Sequence, residues 1–429
     1  MPYSIYEFSL IRRAGDFSDK PDSLAELYLP DLAFDSLKTF IVRQETDRVL
    51  SYGWQKGKEI IRTRNYVGLL ETQEGVQLEI LPKVHSLASP ITGNEPRKAL
   101  LTMLRHWQDS PFRHLAPVRS GAERLPLWEV FIQAFLDEVT ALLTGGLQKA
   151  YVSEEADQRY LRGKLHLPGQ LRRNTLHTEQ FAVICDEFTA DLPPNRLLKT
   201  GLLYLRDRAR STRNQSRIRQ LLFALDEVPP SERLSADWQA ARVANRLFAR
   251  YEPALRWVQA LLRGRAFGLS AGSHEHPSLL FPLERVFEAY VASGFRKYVT
   301  DAEVLIQESS QYLINEHDGA QKFKLRPDIV LYRQGPDGPQ PIVLDTKWKA
   351  IDGTGQTGTY GIDQADLYQL YAYGKKYKAP ELVLIYPANE TFRLPLTVFG
   401  YDPTLRLRVV PFDVLNSLDA EVRKILTYV

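Results

Sequence analysis

Hydrophobic and polar positions along the chain fall into three regimes. Over residues 1 to 92 the apolar positions come in short runs. Ser4 to Leu10 alternates like a strand, Leu32 to Val42 has the spacing of a short helix, and IIRTRNYVGLLETQEGVQLEILPKV sets two apolar strands either side of a turn at Gln73-Glu74-Gly75. From Pro96 to about Arg263 the spacing turns helical in KALLTMLRHW, LWEVFIQAFLDEVTALLTGG, NRLLKTGLLYLRDRA, IRQLLFALDEV and YEPALRWVQALLRG. Gly145-Gly146 reads as a helix stop and Pro193-Pro194 as a start. GLSAGSHEHPSL, residues 268–279, is a Gly/Ser/Pro/His-rich break. The pattern predicts an α+β multidomain chain: a β-rich N-terminal domain over 1–92, a helical middle domain over 93–268 and a C-terminal α/β domain over 269–429. No fixed-period repeat runs through the helices.

The third regime carries the chemistry. LFPLERVFEAYVASGFRKYV reads as an amphipathic helix with Leu283, Phe287, Tyr290, Val291 and Phe295 as its stripe. KFKLRPDIVLYR and PIVLDTKWK read as two strands joined by the turn-forming QGPDGPQ. Because side chains alternate along a strand, Asp345, Lys347 and Lys349 share one face and Leu344, Thr346 and Trp348 the other. Asp328, on the partner strand, can meet Asp345 across the pair. Two carboxylates there offer hard oxygen ligands for Mg2+, with the Lys347 ammonium close by. DQADLYQLYAYGKKY follows as a helix with Asp366, Gln369 and Tyr373 on one face, and ELVLIYP as an apolar strand.

Pro327-Asp328 followed by Asp345-Thr346-Lys347 resembles the PD-(D/E)xK nuclease signature, and Gln369 and Tyr373 resemble the QxxxY motif of its RecB-like branch. Glu288 resembles the helix glutamate that completes the metal site in many such nucleases. Further landmarks run in order along the chain: Asn65-Tyr66-Val67-Gly68, Glu79-Ile80-Leu81-Pro82-Lys83, Arg162-Gly163-Lys164, Asp186-Glu187-Phe188 and Asn195-Arg196. Together they resemble the McrC family, nuclease subunits of McrBC-type modification-dependent restriction systems. The resemblance implies a restriction-endonuclease-like core in which Asp328, Asp345 and Glu288 hold Mg2+, Lys347 positions the attacking water, and Gln369 and Tyr373 support the site. It also implies that the chain cuts methylated foreign DNA when assembled with an AAA+ motor hexamer, the GTPase McrB in that family. The N-terminal and helical parts would then dock on the motor and stimulate it. Two alternatives stay open: a self-sufficient nuclease of repair or phage defence, and a non-catalytic activator or scaffold.

Composition narrows the setting. One cysteine in 429 residues excludes an intrachain disulfide and fits a reducing cytoplasm, and no stretch has the length of a signal peptide or a membrane span. With 55 basic and 52 acidic residues, a DNA surface has to come from local clustering. The densest cluster is Arg159, Arg162, Lys164, Arg172 and Arg173, suited to a phosphate backbone, an acidic partner or plain solvent; Lys349 is a further candidate for DNA contact. His274-Glu275-His276 has too few ligands for zinc and reads as loop. GTGQTG at 353–358 lacks the lysine of a phosphate-binding loop, so nucleotide, GTP or ATP, would be bound by the partner. Cys185 beside two acids reads as packing.

Overall fold

The computed structural model describes residues 2–16, 22–44, 47–84, 94–107, 112, 125–177, 179–243, 246–263, 278–335, 338–356 and 358–429. The break expected at 268–279 and the His274-Glu275-His276 triplet lie almost wholly outside them. The chain forms two compact units, one of residues 1–127 with 264–429, the other of 128–263. This differs from the expected three-part division at 92 and 268. Strand Ser278–Pro282 pairs antiparallel with Tyr66–Glu71, so a C-terminal segment closes the edge of an N-terminal sheet.

In the first unit, the four-stranded sheet runs in the order 3–6, 77–81, 66–71 and 278–282. Its central hairpin is the one expected, with Leu70 opposite Leu78 and Gly68 opposite Ile80. A second sheet orders strands 26–29, 10–13, 58–63 and 50–55. Ile5, Ile11, Phe34, Leu37, Ile61 and Ile80, all fully buried, form one core under the helix Asp31–Gln44. The strand expected over Ser4 to Leu10 is split into Tyr3–Tyr6 and Leu10–Arg13, because Phe8 takes a left-handed φ of 57°. Gly68 shows why its motif needs glycine. Its φ is +125°, and a Cβ there would stand 2.0 Å from the Leu279 carbonyl oxygen of the incoming strand.

The same unit holds a six-stranded sheet in the order 302–306, 329–335, 338–346, 381–387, 405–412 and 399–402. Strands 338–346, 381–387 and 405–412 run parallel, and the run ELVLIYP is buried as a central strand must be. One face packs Val343, Leu382 and Leu384 against Leu370 and Tyr373 of the helix Gln364–Tyr377. On the opposite parity of strand 338–346, Trp348 meets Phe287 of the helix Leu283–Tyr298 edge-on at 5.1 Å.

The second unit is not purely helical. Helices 193–206, 212–224 and 252–263 and most of 127–144 follow the expected spacing and 234–243 is a further helix, but Ala150–Gln158 and Phe181–Thr189 pair antiparallel along their length, with Lys164–Leu165 alongside. The first of these strands is mostly exposed and acidic, so it carries too few apolar positions to announce itself. Among the described residues no helix is long and apolar enough to cross a membrane.

Candidate active site

Asp345 is the penultimate residue of strand 338–346 and is 1% exposed. The antiparallel register that sets Ile329 opposite Leu344 brings Asp328, one residue before its strand, level with Asp345. Thr346, whose own side chain points away from Asp345, donates both its backbone N–H and its hydroxyl to Asp328 Oδ2, each at 2.7 Å. The hairpin thus locks the two acids together.

Burial raises the pKa of Asp345, and the charge of Asp328 raises it further against the pull of Lys347. Burial likewise raises Asp328, with Glu288 adding to it and the Thr346 hydrogen bonds opposing. Lys347 Nζ stands 2.5 Å from Asp345 Oδ2, an ion pair at the strand end. The lysine is partly buried, which works against its charge, yet the aspartates outweigh this and its pKa rises.

The helix 364–377 supplies the next layer. Asp363 caps it by accepting from the Ala365 N–H, which aims its first turns at the strand ends. Lys347 Nζ donates to Gln369 Oε1 at 3.2 Å, Gln369 Nε2 donates to the Tyr373 hydroxyl at 2.8 Å, and that hydroxyl donates to the Arg326 carbonyl at 3.2 Å. Gln369 and Tyr373 therefore join the lysine to the chain just before Asp328. Lys349, expected to contact DNA, is engaged by Asp366 at 3.0 Å and Asp363 at 3.4 Å.

Glu288 lines a cleft of about 930 Å³ together with Asp328. Its Oε1 accepts from Gln307 Nε2 at 2.7 Å, and among the described residues no three His, Cys, Asp or Glu side chains gather into one metal-ligating group. Glu288 is thus a neighbour of Asp328, with one oxygen engaged by Gln307. The aspartate pair itself suits a hard divalent cation: a buried Asp345 whose pKa the charge of Asp328 raises, level with Asp328 at the adjoining strand end, matches an ion that takes one or two carboxylates and fills its remaining positions with water and phosphate oxygens.

The cluster of Arg159, Arg162, Lys164, Arg172 and Arg173 belongs to the second unit. Arg159, Arg162, Lys164 and Arg172 are exposed, whereas Arg173 reaches Asp157 at 3.4 Å and Glu155 at 3.5 Å. Cys185 is partly buried on strand 181–189.

Sequence reasoning missed Glu7. It is 3% exposed, accepts from the Lys83 N–H at 2.6 Å and from Trp348 Nε1 at 3.1 Å, and burial lifts its pKa to about 7. It ties the N-terminal strands to the residue next to Lys347, and only a lone acid in an apolar run could have signalled it. The ordered landmarks also have structural duties. Glu79 is fully buried, paired with Arg97 at 2.7 Å and accepting from the Leu127 N–H at 2.7 Å; Asn195 donates to the Gln148 and Ala190 carbonyls.

Residues 61–387 match the family described as McrBC 5-methylcytosine restriction system component. Among curated proteins none matches the chain. Over the whole of both chains, at 18% identity and a TM-score of 0.69, it is similar in fold to a chain of a solved half-complex from a tetradecameric assembly of Thermococcus gammatolerans McrB AAA+ hexamers with bound McrC. A second solved structure, the Thermococcus gammatolerans McrBC complex, aligns with 70% of this chain and 88% of its own at 20% identity and a TM-score of 0.48. The match over most of the sequence decides the matter: the chain belongs to the McrBC 5-methylcytosine restriction system component family.

Proposed function

We propose that this chain is the DNA-cleaving subunit of an McrBC-type restriction complex, with a PD-(D/E)xK nuclease core over its C-terminal third. The observation that carries the reading is the constellation of Asp328, Asp345 and Lys347 at adjoining strand ends, braced by Gln369 and Tyr373. A scaffold has no need of a buried aspartate whose pKa is raised by a second aspartate at the adjoining strand end. Asp328 and Asp345 would hold Mg2+, which when bound supplies positive charge against a phosphodiester. Thr346 fixes Asp328 through two hydrogen bonds to its Oδ2. Lys347 keeps an ammonium where negative charge develops on the phosphate, and Gln369 fixes its direction. Glu288 stands at the cleft wall and raises the proton affinity of Asp328. The partner we propose is an AAA+ motor of the McrB type, by analogy with the solved assembly, and the substrate is DNA carrying 5-methylcytosine.

The test is cleavage of methylated and unmethylated plasmid by the chain, alone and with such a motor, nucleotide and Mg2+, beside Asp345→Ala. Cleavage that needs motor and nucleotide and is lost in the variant supports the reading. Cleavage by the chain alone makes it a self-sufficient nuclease, and normal cleavage by Asp345→Ala overturns the site.

A further inference from the structure

We propose that the cleft beside Asp328 is a track for the phosphodiester backbone of DNA, gripped by Arg285 and Arg296 at two points along the 283–298 helix. This deepens the nuclease reading and rests on it. The helix turns Arg285, Ala289, Ala292 and Arg296 onto one face, at spacings of four, three and four residues, and all four line the cleft. Ala289, Ala292 and Ser293 make a floor of short side chains over which a backbone can pass close to the helix. At 1.5 Å of rise per residue the two arginines stand about 16 Å apart, the axial span of about five phosphates of one strand.

Two more elements bring charge to the same lining. Arg105 follows the helix Glu95–Leu104, whose end is held in place by His106 packed edge-on against Tyr290 at 5.1 Å. Arg326 precedes Asp328 by two residues, and its carbonyl is the one tied to Tyr373. With Lys297 this makes five cations, and among the described residues none of them is in an ion pair. The carboxylates in the lining are Glu288 and Asp328, so the basic track and the acids of the site form one continuous surface. Cations without ion pairs among the described residues, leading to Asp328 beside the buried Asp345, suit a polyanion that is to be cut. An acidic peptide would take the cations and leave the acids without a role.

The experiment separates holding from cutting. Binding of a fluorescein-labelled DNA duplex to the full chain carrying Asp345→Asn is followed by anisotropy across a KCl series, with Arg285→Ala/Arg296→Ala added, and with Arg219→Ala, on an exposed face of helix 212–224, as control. Thermal unfolding checks that each variant is folded. The double variant is expected to bind about tenfold more weakly and to lower the slope of log affinity against log salt by about 1.8, the loss of two phosphate contacts. The control should match the parent. No duplex binding by the parent at low salt, or parent-like affinity and slope in the double variant, overturns the track. If binding is unchanged in the double variant while Asp345→Ala abolishes cleavage, the nuclease reading stands without the track. If the double variant binds weakly while Asp345→Ala still cleaves, the track stands and the catalytic assignment falls.

Discussion

Two groups of basic residues in this protein invite comparison. Residues 159–173 are the densest run of positive charge in the sequence, but Arg173 there is answered by Glu155 and Asp157 on the strand beside it. The cleft cations, Arg105, Arg285, Arg296, Lys297 and Arg326, are scattered over more than two hundred positions and are unremarkable in any window. Folding brings them onto one lining without ion pairs among the described residues. Charge density along a chain therefore does not by itself locate a charged cleft: four cations of the dense run stay exposed on the second unit, while the cleft gathers its cations from distant positions.

The comparison has force only if the cleft leads to a working site. On the proposed reading, Asp345→Asn should lower cleavage about 10³-fold or more, since it would remove a ligand of an ion worth several kcal/mol to the reaction, while duplex binding in the cleft persists; a gel assay beside anisotropy reads both. Next comes the frame of the cleft. Gly68→Ala puts a Cβ 2.0 Å from the Leu279 carbonyl at a φ of +125°, displacing the strand that leads into helix 283–298. We expect a loss of about 4 kcal/mol by denaturant unfolding, with weaker duplex binding. Parent-like unfolding would mean that strand 278–282 does not hold the helix.

A smaller effect lies with Glu7. Its pKa rises from 4.5 to about 7 in the fold, so the native state prefers the protonated acid. Its contribution is full below pH 4.5 and is lost as pH rises through 7, by about 3 kcal/mol at most. Glu7→Gln should flatten that part of the stability profile, and an unchanged profile would assign the slope to other groups. It should also lower overall stability, because an amide cannot accept from both Lys83 N–H and Trp348 Nε1. Least of all, Arg159→Ala/Arg162→Ala should change duplex affinity less than about twofold. A tenfold loss would reverse the ranking of the two basic groups.

What the sequence disclosed follows the same division. The acids and lysine of the site were legible because strand alternation is local: Asp345, Lys347 and the level of Asp328 all follow from a two-residue period and a tight hairpin. The helix carrying Gln369 and Tyr373 was equally plain. The cleft was not, since it needs Arg105 and Arg296 to meet through packing of helices 95–104 and 283–298. Strand 150–158 was missed because YVSEEADQ is largely solvent-facing and has no apolar alternation to read. Glu288 was found on the right helix, but its engagement by Gln307 depends on strand 302–306 ending beside it.

The edge strand Ser278–Pro282 also bears on how the chain is made. On the ribosome, the apolar edge YVGLLE emerges about 200 residues before the segment that covers it, a wait of about 10 to 40 s at ordinary rates of synthesis. During that interval the nascent sheet presents an open, hydrophobic border able to pair with another chain. The intervening unit of 128–263 is thus also a delay, and the nascent chain must be kept from its neighbours until residue 282 has left the tunnel.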